Sequence, residues 1–255
     1  MSSPTWTRDA LSSSARRYTG KAWRAVEAQH RVSTAKLTDN LADQERLETL
    51  IEAAKPSIPP ECRHLHYLLS TPFRYGAPYP VGSRFRRAGL TEGVFYCSKL
   101  ALTAMTELAF WRLLFFAESP DTPWPKNPGE FTAFQVAFAT RRALDLTREP
   151  FAAQRAVWTH PTDYAPCQAL AEEARAAGIE VITYPSARSA TPAPNHALLA
   201  CRVFTKSHEI ARQTWRIHFG SSGVRLFCEM PRQSIDLPTN SFAADPRTAK
   251  MRWER

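Results

Sequence analysis

Cysteine is scarce in this chain and poorly spaced for chemistry. The five cysteines among 255 residues, Cys62, Cys97, Cys167, Cys201 and Cys228, are odd in number and form no CxxC pair. A structural zinc site or an oxidised scaffold is therefore disfavoured, and a reducing compartment fits best. Long apolar runs are missing too. The greasiest stretch, Leu108 to Ala117, carries Arg112 and falls well short of a bilayer span. No apolar run follows the first basic residues, so no secretory signal is expected and cytoplasmic residence is the default. The chain also lacks GxxxxGK(S/T), a GxGxxG after a strand, HExxH and GxSxG. The usual phosphate cradle, dinucleotide fingerprint, zincin helix and serine-hydrolase elbow thus have no support. His64 and His66 stand close together, but no acidic or cysteine cluster completes a metal site around them, so metal catalysis is disfavoured.

What is present is bulk and basic charge. With 44% hydrophobic residues the chain supports one substantial core, and its 20 prolines argue against a helical bundle. Lysine and arginine total 33 against 24 Asp and Glu, a net charge of +9 that invites a polyanionic partner. The basic residues are scattered, however. No recognition-helix pattern and no RNP-like aromatic strand accompany them, so direct nucleic-acid binding is disfavoured.

The pattern of elements predicts an α+β fold with a mixed or antiparallel sheet and flanking helices. Strands are expected at Trp23 to Val26, Val94 to Cys97, Phe131 to Phe138, Ile179 to Tyr184, Leu198 to Phe204, Trp215 to His218 and Val224 to Phe227. Leu144 to Leu146 is expected to continue the sheet. Along Phe131 to Phe138, Phe134, Val136 and Phe138 share one face. Helices are expected from a Thr38 cap to Ala54, from a Ser98 cap through Phe116, and from Asp163 to Ala177, the last closed by Gly178. On the middle helix Ala104, Leu108, Trp111 and Phe115 fall at helical spacing and predict a buried stripe. A loop rich in Pro, Gly, Tyr and Arg runs from Thr71 to Gly93. No repeat or linker is visible. Residues 1–20 are expected to be an N-terminal extension free to be flexible, and residues 21–255 a single compact domain.

The residues with chemical promise are few. Glu107 lies among apolar neighbours on its helix. Arg24 follows Trp23, Arg84 sits in Gly82-Ser83-Arg84-Phe85, Tyr96 precedes the helix of Glu107, and Ser186 follows Pro185 at a strand end with Arg188 beyond it. Guanidinium groups can grip a pyrophosphate, an aromatic ring can stack on a planar base, and a carboxylate can stabilise a developing cation. The plainer alternatives stand beside these roles. Arg74 and Arg84 also fit as solvated loop charges, Glu107 as an ion-pair partner, Tyr96 as core and Ser186 as turn chemistry.

In order and spacing these segments resemble the RES-domain family, the toxins of bacterial RES–Xre toxin–antitoxin modules. The likeness runs from about Trp23 to Phe227. It is carried by Trp23-Arg24, His30-Arg31-Val32-Ser33-Thr34, Phe73-Arg74-Tyr75, Gly82-Ser83-Arg84-Phe85, Gly93-Val94-Phe95-Tyr96 and Glu107. It continues through Leu144-Asp145-Leu146-Thr147, Asp163-Tyr164, Gln168-Ala169-Leu170, Tyr184-Pro185-Ser186-Ala187-Arg188 and Asn195. Compact members have Gly-Gly-Arg-Trp where this chain has Gly82-Ser83-Arg84-Phe85, and a Tyr where it has Ala25. The resemblance implies a fold like that of ADP-ribosyltransferase toxins and NAD+ as substrate, with inorganic phosphate as a co-substrate in phosphorolysis and no metal. It implies catalytic roles for Glu107, Arg84 and Ser186, and substrate contacts from Arg24, Arg74, Arg84, Tyr96 and Ser186. Implied partners are an Xre-family helix-turn-helix antitoxin and other copies of the chain within that complex, with no membrane. The activity implied is cleavage of the nicotinamide–ribose bond by phosphorolysis or hydrolysis. The alternatives are ADP-ribosylation of a protein target, or a basic nucleic-acid-binding or regulatory module without enzyme activity.

Overall fold

The sheet is assembled on one 17-residue strand, β3, Gly129–Asp145. The computed structural model describes residues 6–28, 32–74, 82–89, 92–189 and 193–255. One edge of β3 pairs antiparallel with β1, Arg16–Glu27. The other edge is divided between two partners. Gly129 to Gln135 pairs antiparallel with β6, Ala211–Gly220, and Ala143 to Asp145 runs parallel to β4, Val181–Pro185. β4 then pairs with β5, Pro194–Leu198, and β5 with β2, Phe95–Ser98, which meets β1 at Trp23↔Ser98. The circuit β1-β2-β5-β4-β3 closes into a small barrel, and β7, Gly223–Cys228, and β8, Gln233–Pro238, extend the sheet beyond β6. Among the described strands only the β3–β4 pair is parallel, so the expected α+β fold with a mixed sheet is observed.

Seven α-helices surround it among the described residues: α1, Arg8–Ser13; α2, Val32–Ala35; α3, Leu41–Ala54; α4, Tyr67–Arg74; α5, Ala101–Glu118; α6, Arg155–Trp158; and α7, Ala165–Ala176. Both faces of β3 are covered. Phe134, Val136 and Phe138 are fully buried in a core completed by Leu69 and Phe73 of α4, while Phe131 and Ala133 on the opposite face pack with Met105, Ala109 and Leu113 of α5. A third core lies between the barrel and α7, around Leu144, Trp158, Leu170 and Ile182. α7 stops as its sequence predicts, with Gly178 at φ +71°, a conformation that other residues rarely adopt.

Several expected boundaries move for identifiable reasons. The strand expected at Trp23 to Val26 is the end of a 12-residue strand, because β1 has a long antiparallel partner in β3. The division expected at residue 20 falls inside it, and Leu11 of α1 is fully buried against the α7 core. Asn40, not Thr38, caps α3 by accepting the Asp43 amide. Ser98 is the last residue of β2, and Leu100 precedes α5 without a side-chain cap. Leu144 belongs to β3 itself. The strand expected over Leu198 to Phe204 becomes β5 followed by a 3-10 turn, Cys201–Val203. α4 carries the chain into the expected Thr71–Gly93 loop despite Pro72. His30, Arg31 and Tyr75 of the family-like segments lie outside the described residues.

His196 of β5 is fully buried between Thr183 Oγ1 at 3.0 Å and Tyr18 Oη at 3.3 Å, with no carboxylate bonded to it among the described residues. Burial, aided by Lys99, pushes its pKa down from 6.5 to about 4. The unfolded chain therefore takes up a proton that the native state refuses, and stability falls as pH drops from 6.5 to 4. The loss is about 3 kcal/mol. Urea unfolding over this pH range should show it, and His196→Gln should flatten the slope; a slope unchanged by the substitution contradicts the assignment.

Candidate active site

α5 delivers Glu107 to the mouth of the barrel. The residues at helical spacing around it, Ala104, Leu108 and Trp111, share a face as expected, but that face is the wall of a cleft rather than core. Trp111 and Phe115 are about half exposed, 46% and 50%. The buried side of the helix carries Met105, Ala109, Leu113 and Phe116 instead, because β1 and β3 lie beneath it and β6 and β7 complete that core. The expected buried stripe is corrected accordingly. The cleft encloses about 310 Å³, and Arg24, Arg84, Tyr96, Glu107 and Arg188 all line it.

The Glu107 carboxylate accepts three hydrogen bonds from side chains that follow β4 or open β5. Ser186 Oγ donates to Oε1 at 2.7 Å and Asn195 Nδ2 to the same oxygen at 2.9 Å. Arg188 Nη1 donates to Oε2 at 3.0 Å. Each donor is itself aimed. Pro185 ends β4, and the turn beyond it sends the amides of Arg188 and Ser189 onto Ser186 Oγ, so the hydroxyl proton is left for Glu107. Ser98 Oγ donates to Asn195 Oδ1 at 2.6 Å, which fixes the amide with its nitrogen toward the carboxylate. Arg188 donates from Nη2 to Tyr164 Oη at 3.1 Å and lies over the Phe110 ring at 4.0 Å. Burial opposes its charge, but Glu107 and Tyr164 outweigh that and hold its pKa above the ordinary arginine value.

The Gly82-Ser83-Arg84-Phe85 segment is a turn with a divided task. A side chain at Gly82 would sit 2.7 Å from Arg86 O and Gln168 Nε2, so only glycine fits. Gln168 of α7 holds the turn by donating to Ser83 O and Arg86 O. Tyr96 Oη pairs with Ser83 Oγ at 2.8 Å and accepts the Phe85 amide at 3.0 Å. Burial holds the Tyr96 pKa above the usual phenol value, so its hydroxyl stays protonated. Phe85 enters the core against Tyr184, and Arg84 turns toward the cleft. Arg84 is 6% exposed; it donates to Trp158 O and His160 O and stacks over Tyr164. Arg24 of β1 donates to Tyr96 O at 2.8 Å and lies over Phe95, and burial lowers its pKa. Among the described residues neither Arg24 nor Arg84 has a carboxylate partner, so the cleft carries uncompensated positive charge.

Five of the six residues singled out from the sequence, Arg24, Arg84, Tyr96, Glu107 and Ser186, thus meet at one place. Arg74 does not. It ends α4, where it donates to Pro56 O and to Glu52 Oε1, and it does not line the cleft. The ion-pair partner of Glu107 is Arg188 rather than Arg24, Arg84 or Arg112; Arg112 pairs with Glu27. Tyr164, Asn195 and Ser98 complete the site, and only the first two lie in segments singled out as family-like. Among the described residues no group of three or more His, Cys, Asp or Glu could hold a metal ion, and no helix is long and apolar enough to cross a membrane.

The RES-domain family model matches residues 58–220, which include the Arg84 turn, Glu107, Ser186, Arg188 and Asn195. The chain belongs to the RES-domain family. The match starts after β1, so Arg24 comes from outside the matched stretch of the RES domain, and the segment after β6 also lies beyond it. The chain is similar to a protein of the solved M. tuberculosis MbcT–MbcA toxin–antitoxin complex. That likeness covers 95% of each chain at 16% identity with a TM-score of 0.43, too low to bear on fold or function. No curated protein matches the chain.

Glu107 and Arg188 are a largely buried pair, with side chains 18% and 8% exposed. Arg188→Met should strand the carboxylate and cost about 3 kcal/mol, and Glu107→Gln in the same chain should recover a substantial part of it. Chemical denaturation of the two single variants and the double variant checks this; strictly additive losses contradict it.

Proposed function

We propose that this RES domain cleaves the nicotinamide–ribose bond of NAD+, by phosphorolysis or hydrolysis, and acts as the toxin of a toxin–antitoxin pair. The observation that carries the reading is the Glu107 carboxylate, fixed by three donors in a cleft whose remaining charges are the guanidiniums of Arg24 and Arg84. A dinucleotide brings two phosphates and a planar cation to such a cleft. The first suit paired arginines, the second suits aromatic walls such as Tyr96 and Trp111.

The chemistry needs little proton transfer. The electron pair of the C1′–N bond leaves with nicotinamide, whose ring becomes neutral, and positive charge develops on the ribose. A preorganised carboxylate stabilises that charge without reorganising, because Ser186, Asn195 and Arg188 already hold it in place. An oxygen of phosphate or water then bonds to C1′, and with water the surplus proton passes to solvent. A protein side chain in place of these acceptors gives ADP-ribosyl transfer. In this reading Ser186 acts near the reacting nucleotide through its hydrogen bond to Glu107, and Arg24 and Arg84 hold the pyrophosphate. The cognate partner is an Xre-family antitoxin that covers the cleft, in an assembly that includes further copies of the toxin. Residues 21–255 work as one catalytic unit together with α1 and the start of β1, which are built into the same cores.

Glu107→Gln should preserve folding and reduce NAD+ cleavage at least about 100-fold. Turnover equal to wild type in the folded variant rejects the role. Arg84→Ala should weaken NAD+ binding about tenfold by calorimetry, as expected for loss of charged hydrogen bonds; an unaltered affinity rejects that contact.

A further inference from the structure

The segment after β8 lies outside the stretch that matches the RES-domain model, yet it places a carboxylate behind the reacting centre. Asp245 is 5% exposed, and its Oδ2 stands 4.0 Å from Arg188 Nη2. It is anchored by its own neighbours. Arg247 donates to Asp245 from Nε at 2.9 Å, from Nη2 at 2.7 Å and from its backbone amide at 3.1 Å. Arg247 also donates to Pro161 O, which ties the segment to the turn that carries Tyr164. Burial would raise the Asp245 pKa, but the bonds from Arg247 and the charge of Arg188 hold it below the usual carboxylate value.

Arg188 therefore lies between two carboxylates, Glu107 on the cleft side and Asp245 behind. Among the described residues its Nε is buried without a hydrogen-bond partner, so the guanidinium is oriented from its Nη groups and from the Phe110 and Trp111 rings it lies over. We propose that Asp245 is a positioning residue for the reaction: it holds Arg188 against Glu107 and offsets part of the arginine's charge, which leaves more of the Glu107 charge for a cationic ribose. The proposal rests on the NAD+-cleaving reading for its kinetic consequence and on the structure alone for its geometric one.

Charge and scaffold make opposite forecasts for two neighbouring substitutions. Asp245→Asn keeps the shape and an acceptor for Arg247 but removes a negative charge. Arg247→Gln loosens the same clasp but removes a positive charge. If charge governs, kcat for NAD+ cleavage falls roughly five- to tenfold in Asp245→Asn, with KM within twofold, and rises up to about threefold in Arg247→Gln. A merely structural clasp lowers kcat in both. Parallel losses, or wild-type kcat in folded Asp245→Asn, overturn the proposal. If Asp245→Asn does not fold, Arg247→Gln decides by the sign of its effect.

A second readout on the full chain does not depend on turnover. The Arg188 Nε–H signal in 15N NMR, assigned by its loss in Arg188→Lys, should exchange slowly in wild type and at least tenfold faster in Asp245→Asn or Arg247→Gln. Unchanged exchange overturns the positioning role. A wild type that leaves NAD+ intact rejects the functional reading instead, and the exchange rates still decide whether Asp245 holds Arg188.

Discussion

The Glu107 carboxylate is the point on which the architecture converges. A charged group in a half-buried cleft is costly unless its lone pairs are met, and here they are met by a serine, an asparagine and an arginine. Those donors can reach it only because β4 and β5 lie side by side, with Tyr184 opposite Asn195, and because β2 places Ser98 opposite the same asparagine. The barrel closure through β1 and β3 keeps that end of the sheet in register and brings Arg24 to the opposite lip. Hydrogen bonding at one carboxylate thus depends on the pairing of five strands.

The positive charge of the chain acquires a more specific meaning from this geometry. As a net figure it is compatible with any polyanion. Placed in the cleft, Arg24 and Arg84 stand without carboxylates among the described residues, beside Arg188, which has Glu107 and, behind it, Asp245. A small dianionic ligand with a cationic end fits that division better than a long nucleic acid, whose contacts require a broad basic face. Other arginines serve the scaffold: Arg74 at the end of α4, Arg175 on the carbonyls of Gly93 and Leu199, and Arg255 on the carbonyls of Phe116, Ser119 and Thr122 at and after the end of α5.

Legibility in the sequence followed the range of the interaction. Period-two alternation marked Phe134, Val136 and Phe138, and Gly178 marked the end of α7, because both are local statements about backbone and burial. The phase of α5 was also visible, but not which side faced the core, since that depends on β1 and β3 lying beneath it. Leu41 and Leu50 of α3 show the same limit: apolar residues of an expected helix, they are exposed at 77% and 62%. The site was legible where the family-like segments reached, at Arg84, Tyr96, Glu107 and Ser186. Ser98 was hidden because its role appears only when β2 and β5 pair. Arg74 was misleading because an arginine's spacing carries no record of the carbonyl that will claim it.

The most direct measurement is to incubate the purified protein with NAD+, with and without inorganic phosphate, and to identify the nucleotide products. The account predicts release of nicotinamide, with ADP-ribose formed when water is the acceptor and its 1″-phosphate when phosphate is present and used. NAD+ recovered intact from folded protein under both conditions would contradict it.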